Sequence, residues 1–84
     1  MLMAELPIYQ CHKKVWALKI RMVKTHPDGS HSIVPEDLGF APIDVSEEYM
    51  IKHDPKDGGY YVVYADGYKS YSPAEPFESG YTRI

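Results

Sequence analysis

The chain contains four histidines and one cysteine, the residue types from which a metal site or a nucleophilic centre would be built. Cys11 and His12 are neighbours. Adjacent side chains of a strand point to opposite faces, so the two cannot close on one ion. His26 and His31 flank a Pro-Asp-Gly turn and can approach each other across a hairpin. Two imidazoles are half of a zinc site, so both are read as solvated turn residues, with no metal and no cofactor expected. Covalent catalysis needs a nucleophile, a base and an orienting group together. Cys11 with His12, or Ser70 or Ser72 with a distant histidine, would have to supply them. No nucleophile elbow or paired-carboxylate motif accompanies these residues, and Gly58-Gly59 lacks the rest of a phosphate loop. The sequence therefore reads as that of a protein that is not an enzyme.

Tyrosine is the more informative residue. There are eight, and six of them follow position 59. Along 60–64, Tyr60, Val62 and Tyr64 share one face of a strand and Tyr61 and Val63 the other. Across the next turn, Tyr68 and Ser70 share one face and Lys69 and Tyr71 the other. One face must cover a core, which leaves the second to show phenols to solvent or to a partner. Rigid rings carrying hydroxyls suit protein contacts or stacking on a base. The binding candidates are Tyr61, Tyr68, Ser70 and Tyr71. Lys13, Lys19 and Arg21 could add phosphate contacts from one row of an N-terminal strand, a row that is otherwise the solvated outer face of a sheet.

These residues need elements to hold them. Residues 1–8 have no pattern and are expected to be a flexible N-terminus. Residues 9–24 alternate, with Trp16, Leu18, Ile20 and Met22 on one parity, although Val15, Leu18 and Met22 also have helical spacing. The turn chemistry of 25–30 and the β-rich run 31–34 favour a hairpin. Asp44-Val45-Ser46-Glu47 has capping-box spacing and predicts a helix of about 8–10 residues ended before Pro55. A second hairpin spans 60–72 around Ala65-Asp66-Gly67. Ser72-Pro73-Ala74-Glu75 then predicts a capped helical turn that places Phe77 on the sheet and closes at a left-handed Gly80. Loss of the Ser72 cap would cost about 1 kcal/mol. The expected architecture is a single α+β domain over 9–84, with a four-stranded antiparallel sheet covered on one face by both helices. Its core would include Trp16, Leu18, Ile20, Ile33, Val62, Tyr64 and Phe77.

Composition sets the limits. With 84 residues, a domain hides only about 60–65% of its unfolded surface, so its stability is on the order of 5 kcal/mol. Limited core and open hairpin edges point to a homo-oligomer. No run reaches the roughly 18–20 apolar residues of a membrane span, and the start has no signal-peptide pattern. With one cysteine and hence no intrachain disulfide, a reducing cytoplasm is expected. Five basic groups face two acidic ones in residues 1–35, and four face ten in 36–84, for a net charge of −3. General binding to duplex DNA is disfavoured by that balance.

The ending is distinctive. Asp66-Gly67-Tyr68, then Ser70-Tyr71-Ser72-Pro73, Phe77-Glu78 and Tyr81, resembles the close of small accessory proteins of tailed bacteriophages and prophages. Tyr9-Gln10-Cys11-His12-Lys13 and the strand from Val15 to Ile20 fit the same pattern. The resemblance covers most of 9–84, and its specific motif lies in about the last 25 residues. It implies a phage or prophage origin and action in the host bacterial cytoplasm, and it brings no catalytic residues. Together with the exposed rings, it implies a binding protein that interferes with a host process such as a defence system, by occupying a host protein surface or sequestering a small nucleotide. The alternatives are an assembly partner of another phage protein and, further off, a small enzyme.

Overall fold

The computed structural model describes residues 15–81. The expected flexible segment 1–8 and the first part of the expected strand, 9–14, lie outside the described residues. The chain runs β1 (Val15–Thr25), β2 (His31–Pro35), β3 (Ile43–Val45), α1 (Glu47–His53), β4 (Tyr60–Tyr64), β5 (Lys69–Ser72) and α2 (Ala74–Gly80). The strands form one antiparallel sheet in the order β3-β2-β1-β4-β5. The protein is thus a small α+β domain with one more strand than the sequence led us to expect. That strand, β3, has three residues, too few for alternation to show.

Both hairpin turns obey their local chemistry. Gly29 and Gly67 take φ of 88° and 90°, a region only glycine enters cheaply. The preceding aspartates brace the turns: Asp28 Oδ1 accepts from Ser30 N–H at 2.9 Å, and Asp66 Oδ1 from Tyr68 N–H at 3.0 Å. Long β1 joins the hairpins at the centre. Val15 to Lys19 pair with β4, and Ile20 to Thr25 pair with β2. Ile20 opposes Pro35 while Met22 opposes Val34, so Arg21 is an extra residue in a β-bulge.

The bulge reverses which parity faces the core. Ile20 is buried before it, and Val23, opposite the fully buried Ile33, packs inward after it. Met22, which strict alternation places inside, is exposed.

The helices cover opposite faces of the sheet, not one. Tyr49 of α1 lies 5.9 Å from the Tyr61 ring, while Phe77 of α2 stacks on Tyr60 at 4.2 Å; neighbouring strand residues face opposite ways. The core under α1 is Ile20, Ile33, Tyr49 and Tyr61, flanked by Val23, Ile43, Val45, Met50, Val63 and Tyr71. Val62 is 3% exposed on the α2 side. Of the expected core, Ile20, Ile33 and Val62 are buried; Leu18, Tyr64 and Phe77 are half-buried. Trp16 is 64% exposed. Helix α1 is only about 10 Å long, and its one buried residue sits over Tyr61. Val63 still packs on this core, while Trp16 opposite it is left uncovered.

Helix capping also departs from expectation. Asp44 belongs to β3, paired with Ser32, so the α1 cap falls to Ser46, whose Oγ accepts from Tyr49 N–H at 3.0 Å. Glu47 and Glu48 sit at the positive end of the helix dipole, and Lys52 and His53 at the negative end. In α2 the cap residue is Pro73, and no side chain caps it; Ser72 ends β5 and donates to the Pro73 carbonyl instead. Pro76 is tolerated because it lies in the first turn, where its missing N–H has no partner to lose. Gly80 is helical, and Tyr81 leaves in extended conformation at φ −129°.

Candidate binding groove

Helix α1 and the tip of the β4–β5 hairpin enclose an open groove of about 600 Å³. Two tyrosines fix its shape. Burial of Tyr49 anchors α1, and its hydroxyl donates to the Ser70 carbonyl at 2.6 Å, so Ser70 contributes backbone to the joint. Burial also holds the Tyr49 phenol well above the ordinary tyrosine range. Next to it, the His53 ring packs against Tyr49 at 4.8 Å, tilted by 43°. Burial, and then the positive charge of Lys52, push the His53 imidazole below its ordinary value, while a hydrogen bond to the Lys69 backbone opposes them. His53 packs between α1 and the hairpin, against the Tyr49 and Tyr68 rings.

Tyr68 stands at the hairpin tip and touches both sides of the sheet. Its ring lies 6.0 Å from Tyr64 and 6.0 Å from His53, its hydroxyl is 3.4 Å from His53 Nε2, and the Lys52 ammonium sits 5.0 Å over its face. It is still 42% exposed. The groove also takes in Asp44 and Glu48 towards the start of α1, and Lys52 and Lys69 towards its end. The Asp44 carboxylate accepts from Ser32, and Glu48 and Lys52 lie one helical turn apart, so the two signs are mixed along the groove.

The other sequence candidates do not assemble into one site. Tyr61 is 5% exposed and belongs to the core. Tyr71 is half-buried beside it, with its ring so close over Gly59 that a Cβ there would overlap it. Neither ring faces solvent as a platform, because α1 covers the face they share, and the sequence left open which face that would be. Lys19 is already matched: its Nζ bonds Glu78 Oε2 at 3.0 Å, where the Tyr60 hydroxyl also donates at 2.8 Å. These two partners hold the Glu78 carboxyl below its usual value, Tyr60 contributing most. Arg21 is exposed on the bulge, and Lys13 lies outside the described residues. The expected phosphate row of Lys13, Lys19 and Arg21 is therefore not a set of free cations.

Two polar chains escaped the sequence reading, which treated His26 and His31 as solvated. The His31 side chain is 14% exposed and bonded at both nitrogens, to Thr25 Oγ1 at 3.0 Å and Glu47 Oε1 at 3.0 Å. His26 Nε2 lies 2.7 Å from the hydroxyl of Ser32, which donates to Asp44 Oδ1 at 3.0 Å. Hydroxyl, imidazole and carboxylate follow one another in the first chain, as in a nucleophilic relay. The adjoining turn cannot complete it with an oxyanion hole, since the N–H groups of His26, Gly29 and Ser30 are bonded to Ser30, His26 and Asp28. In the second chain, Ser32 is 3% exposed and gives its proton to Asp44. Both chains tie β1, β2, β3 and α1 together. Cross-strand pairing of Thr25 with His31 was the available signal; Glu47 joins through tertiary structure alone.

Among the described residues no three histidine, cysteine, aspartate or glutamate side chains are placed to hold a metal ion, and no helix is long and apolar enough to cross a membrane. No protein-family model, curated protein or solved structure matches this chain.

Proposed function

We propose that this chain is a non-enzymatic binding protein of the phage accessory kind, which works in the host cytoplasm by occupying the surface of a host protein, such as a component of a defence system. The observation that carries the reading is Trp16: a large ring 64% exposed on a central strand, opposite the half-buried Val63. Tryptophan on rigid backbone is the residue type that most often dominates a protein interface. Self-association fits the same reading, since β3 is the outermost strand beyond β2.

The test is affinity capture of host proteins by the wild-type chain and by Trp16→Ala. A specific host partner should be retained by the first and lost by the second, with unchanged thermal midpoint. Identical captures by both would remove Trp16 as the contact, and recovery of phage proteins alone would make the chain an assembly partner instead.

A further inference from the structure

Strand β1 is central to the sheet, yet one of its edges is open for part of its length. From Ile20 to Thr25 it pairs with β2, which ends at Pro35 opposite Ile20; from Val15 to Lys19 its paired strand is β4. The backbone alternation shows what this leaves free. Ile20 turns to the β4 side, where its N–H donates to Gly59 and its carbonyl accepts from Gly58, both at 2.8 Å. Lys19 turns the other way, and its carbonyl accepts from Glu36 N–H at 2.8 Å. By the same alternation Trp16 and Leu18 bond β4, while Val15 and Ala17 point their N–H and C=O groups into a notch past the end of β2. Among the described residues nothing pairs with them there.

Two residues that offer donors and acceptors at strand spacing select an extended backbone, which matches both at once. All pairing in the sheet is antiparallel, so an added strand would continue the line of β2 and begin beside Glu36. Its side chains opposite Trp16 and Leu18 would lie on the α1 face, since these two residues oppose Val63 and Tyr61. The exposed Trp16 ring thus calls for an apolar neighbour there. At the start of the notch, Glu36 and Asp37 are exposed carboxylates with no ion pair among the described residues. Lys19, which Glu36 meets through its backbone, is already bonded to Glu78. The two carboxylates favour a basic residue and repel a nucleic acid. A second copy fits the notch poorly: pairing two notches about Trp16 sets β2 of one copy in line with the start of β1 in the other, where the residues before Val15 must pass. We infer that the edge of β1 from Val15 to Leu18 takes an extended segment of a partner protein as an added antiparallel strand, with apolar side chains opposite Trp16 and Leu18 and a basic residue at its N-terminal end. This inference rests on the reading of Trp16 as a protein contact and adds how the partner is held.

The experiment titrates the peptide acetyl-Arg-Val-Thr-Val-Thr-amide into the full chain. It is read by hydrogen exchange of the Val15 and Ala17 amides and by the fluorescence of Trp16, the single tryptophan. Both amides should exchange fast in the free chain and slow with peptide, as the tryptophan emission moves to the blue. Methylating the nitrogen of the central threonine, which faces Ala17, should weaken binding about tenfold. Trp16→Ala should do the same, and glutamate in place of the peptide arginine should cost about threefold. Ala17→Pro removes a donor that faces no described strand and should abolish binding with the thermal midpoint held. Val15 and Ala17 amides already protected in the free chain would show that its own residues fill the notch, and would overturn the proposal. Equal binding of the N-methylated peptide, or no binding of the parent peptide, would overturn it too. Host capture lost in Trp16→Ala but kept in a folded Ala17→Pro removes strand addition alone; capture kept in both removes the docking reading itself.

Discussion

The two faces of one hairpin, β4–β5, are covered by helices of equal length held in different ways. On one side α1 buries Tyr49 against Tyr61, Ile20 and Ile33. On the other, α2 buries no residue of its own. It is held by Phe77 on Tyr60, by Glu78 on Lys19 and Tyr60, and by Tyr81 stacked 4.6 Å from Phe77. Apolar burial is cooperative and hard to lose in part, whereas exposed ring stacks and an ion pair form and break locally. Helix α1 therefore belongs to the folding unit, and α2 is an attachment to it.

Core truncation should break this contrast most severely. Ile33→Ala removes a fully buried side chain and should cost about 2–5 kcal/mol, comparable to the whole stability of such a domain, so chemical denaturation should show little or no folded baseline. Phe77→Ala should cost only about 1–2 kcal/mol. Its signature should be local: faster hydrogen exchange and proteolysis across 74–81, with sheet amides still protected. An equal loss of protection in β1 and β2 would show that α2 is part of the core after all. Ser46→Ala, which removes the α1 cap, should lower stability by about 1 kcal/mol.

The smallest effects are those of pH, and acid is the arm that separates the two helices. Glu78 is held below its ordinary value of 4.5, so its contribution is present above that value and fades as pH falls. Acid should loosen α2, and Glu78→Gln should remove this dependence. Tyr49 and Tyr61 are held above their ordinary value of 10.0. Their contribution is present below it and is lost as pH rises beyond, when the unfolded phenols ionise first. The α1 side should therefore weaken in alkali, seen as phenolate absorbance appearing together with loss of tertiary signal; Tyr60 and Lys19, which the Glu78 carboxylate holds above their ordinary values, make the α2 contacts weaken there as well.

Local chemistry made much of the fold legible in the sequence. Both Asp-Gly turns, the two hairpins and the existence of both helices follow from residues a few positions apart. Features that depend on partners did not. Asp44 and Ser46 can each cap a helix, and only the pairing of Asp44 with Ser32 decides between them. The bulge at Arg21 shifts the inward parity of β1, and alternation alone cannot announce it. Tyr61 and Tyr68 are chemically alike in sequence, yet one is core and one is exposed, because α1 docks on the face that holds the first. Within the candidate groove Tyr68 was foreseen; Lys52, His53 and Glu48 were not, since they reach it through tertiary packing.

The central position of β1 has a kinetic consequence. Each hairpin can close locally, but the seam from Val15–Lys19 to Tyr60–Tyr64 joins segments separated by about half the chain, and such non-local closure is the slow entropic step of folding. Newly made chains will hold two preformed hairpins waiting for each other, with the apolar flanks of β1 and β4 open in the interval. The rate at which the seam zips sets how long this protein is vulnerable to aggregation before the sheet is complete.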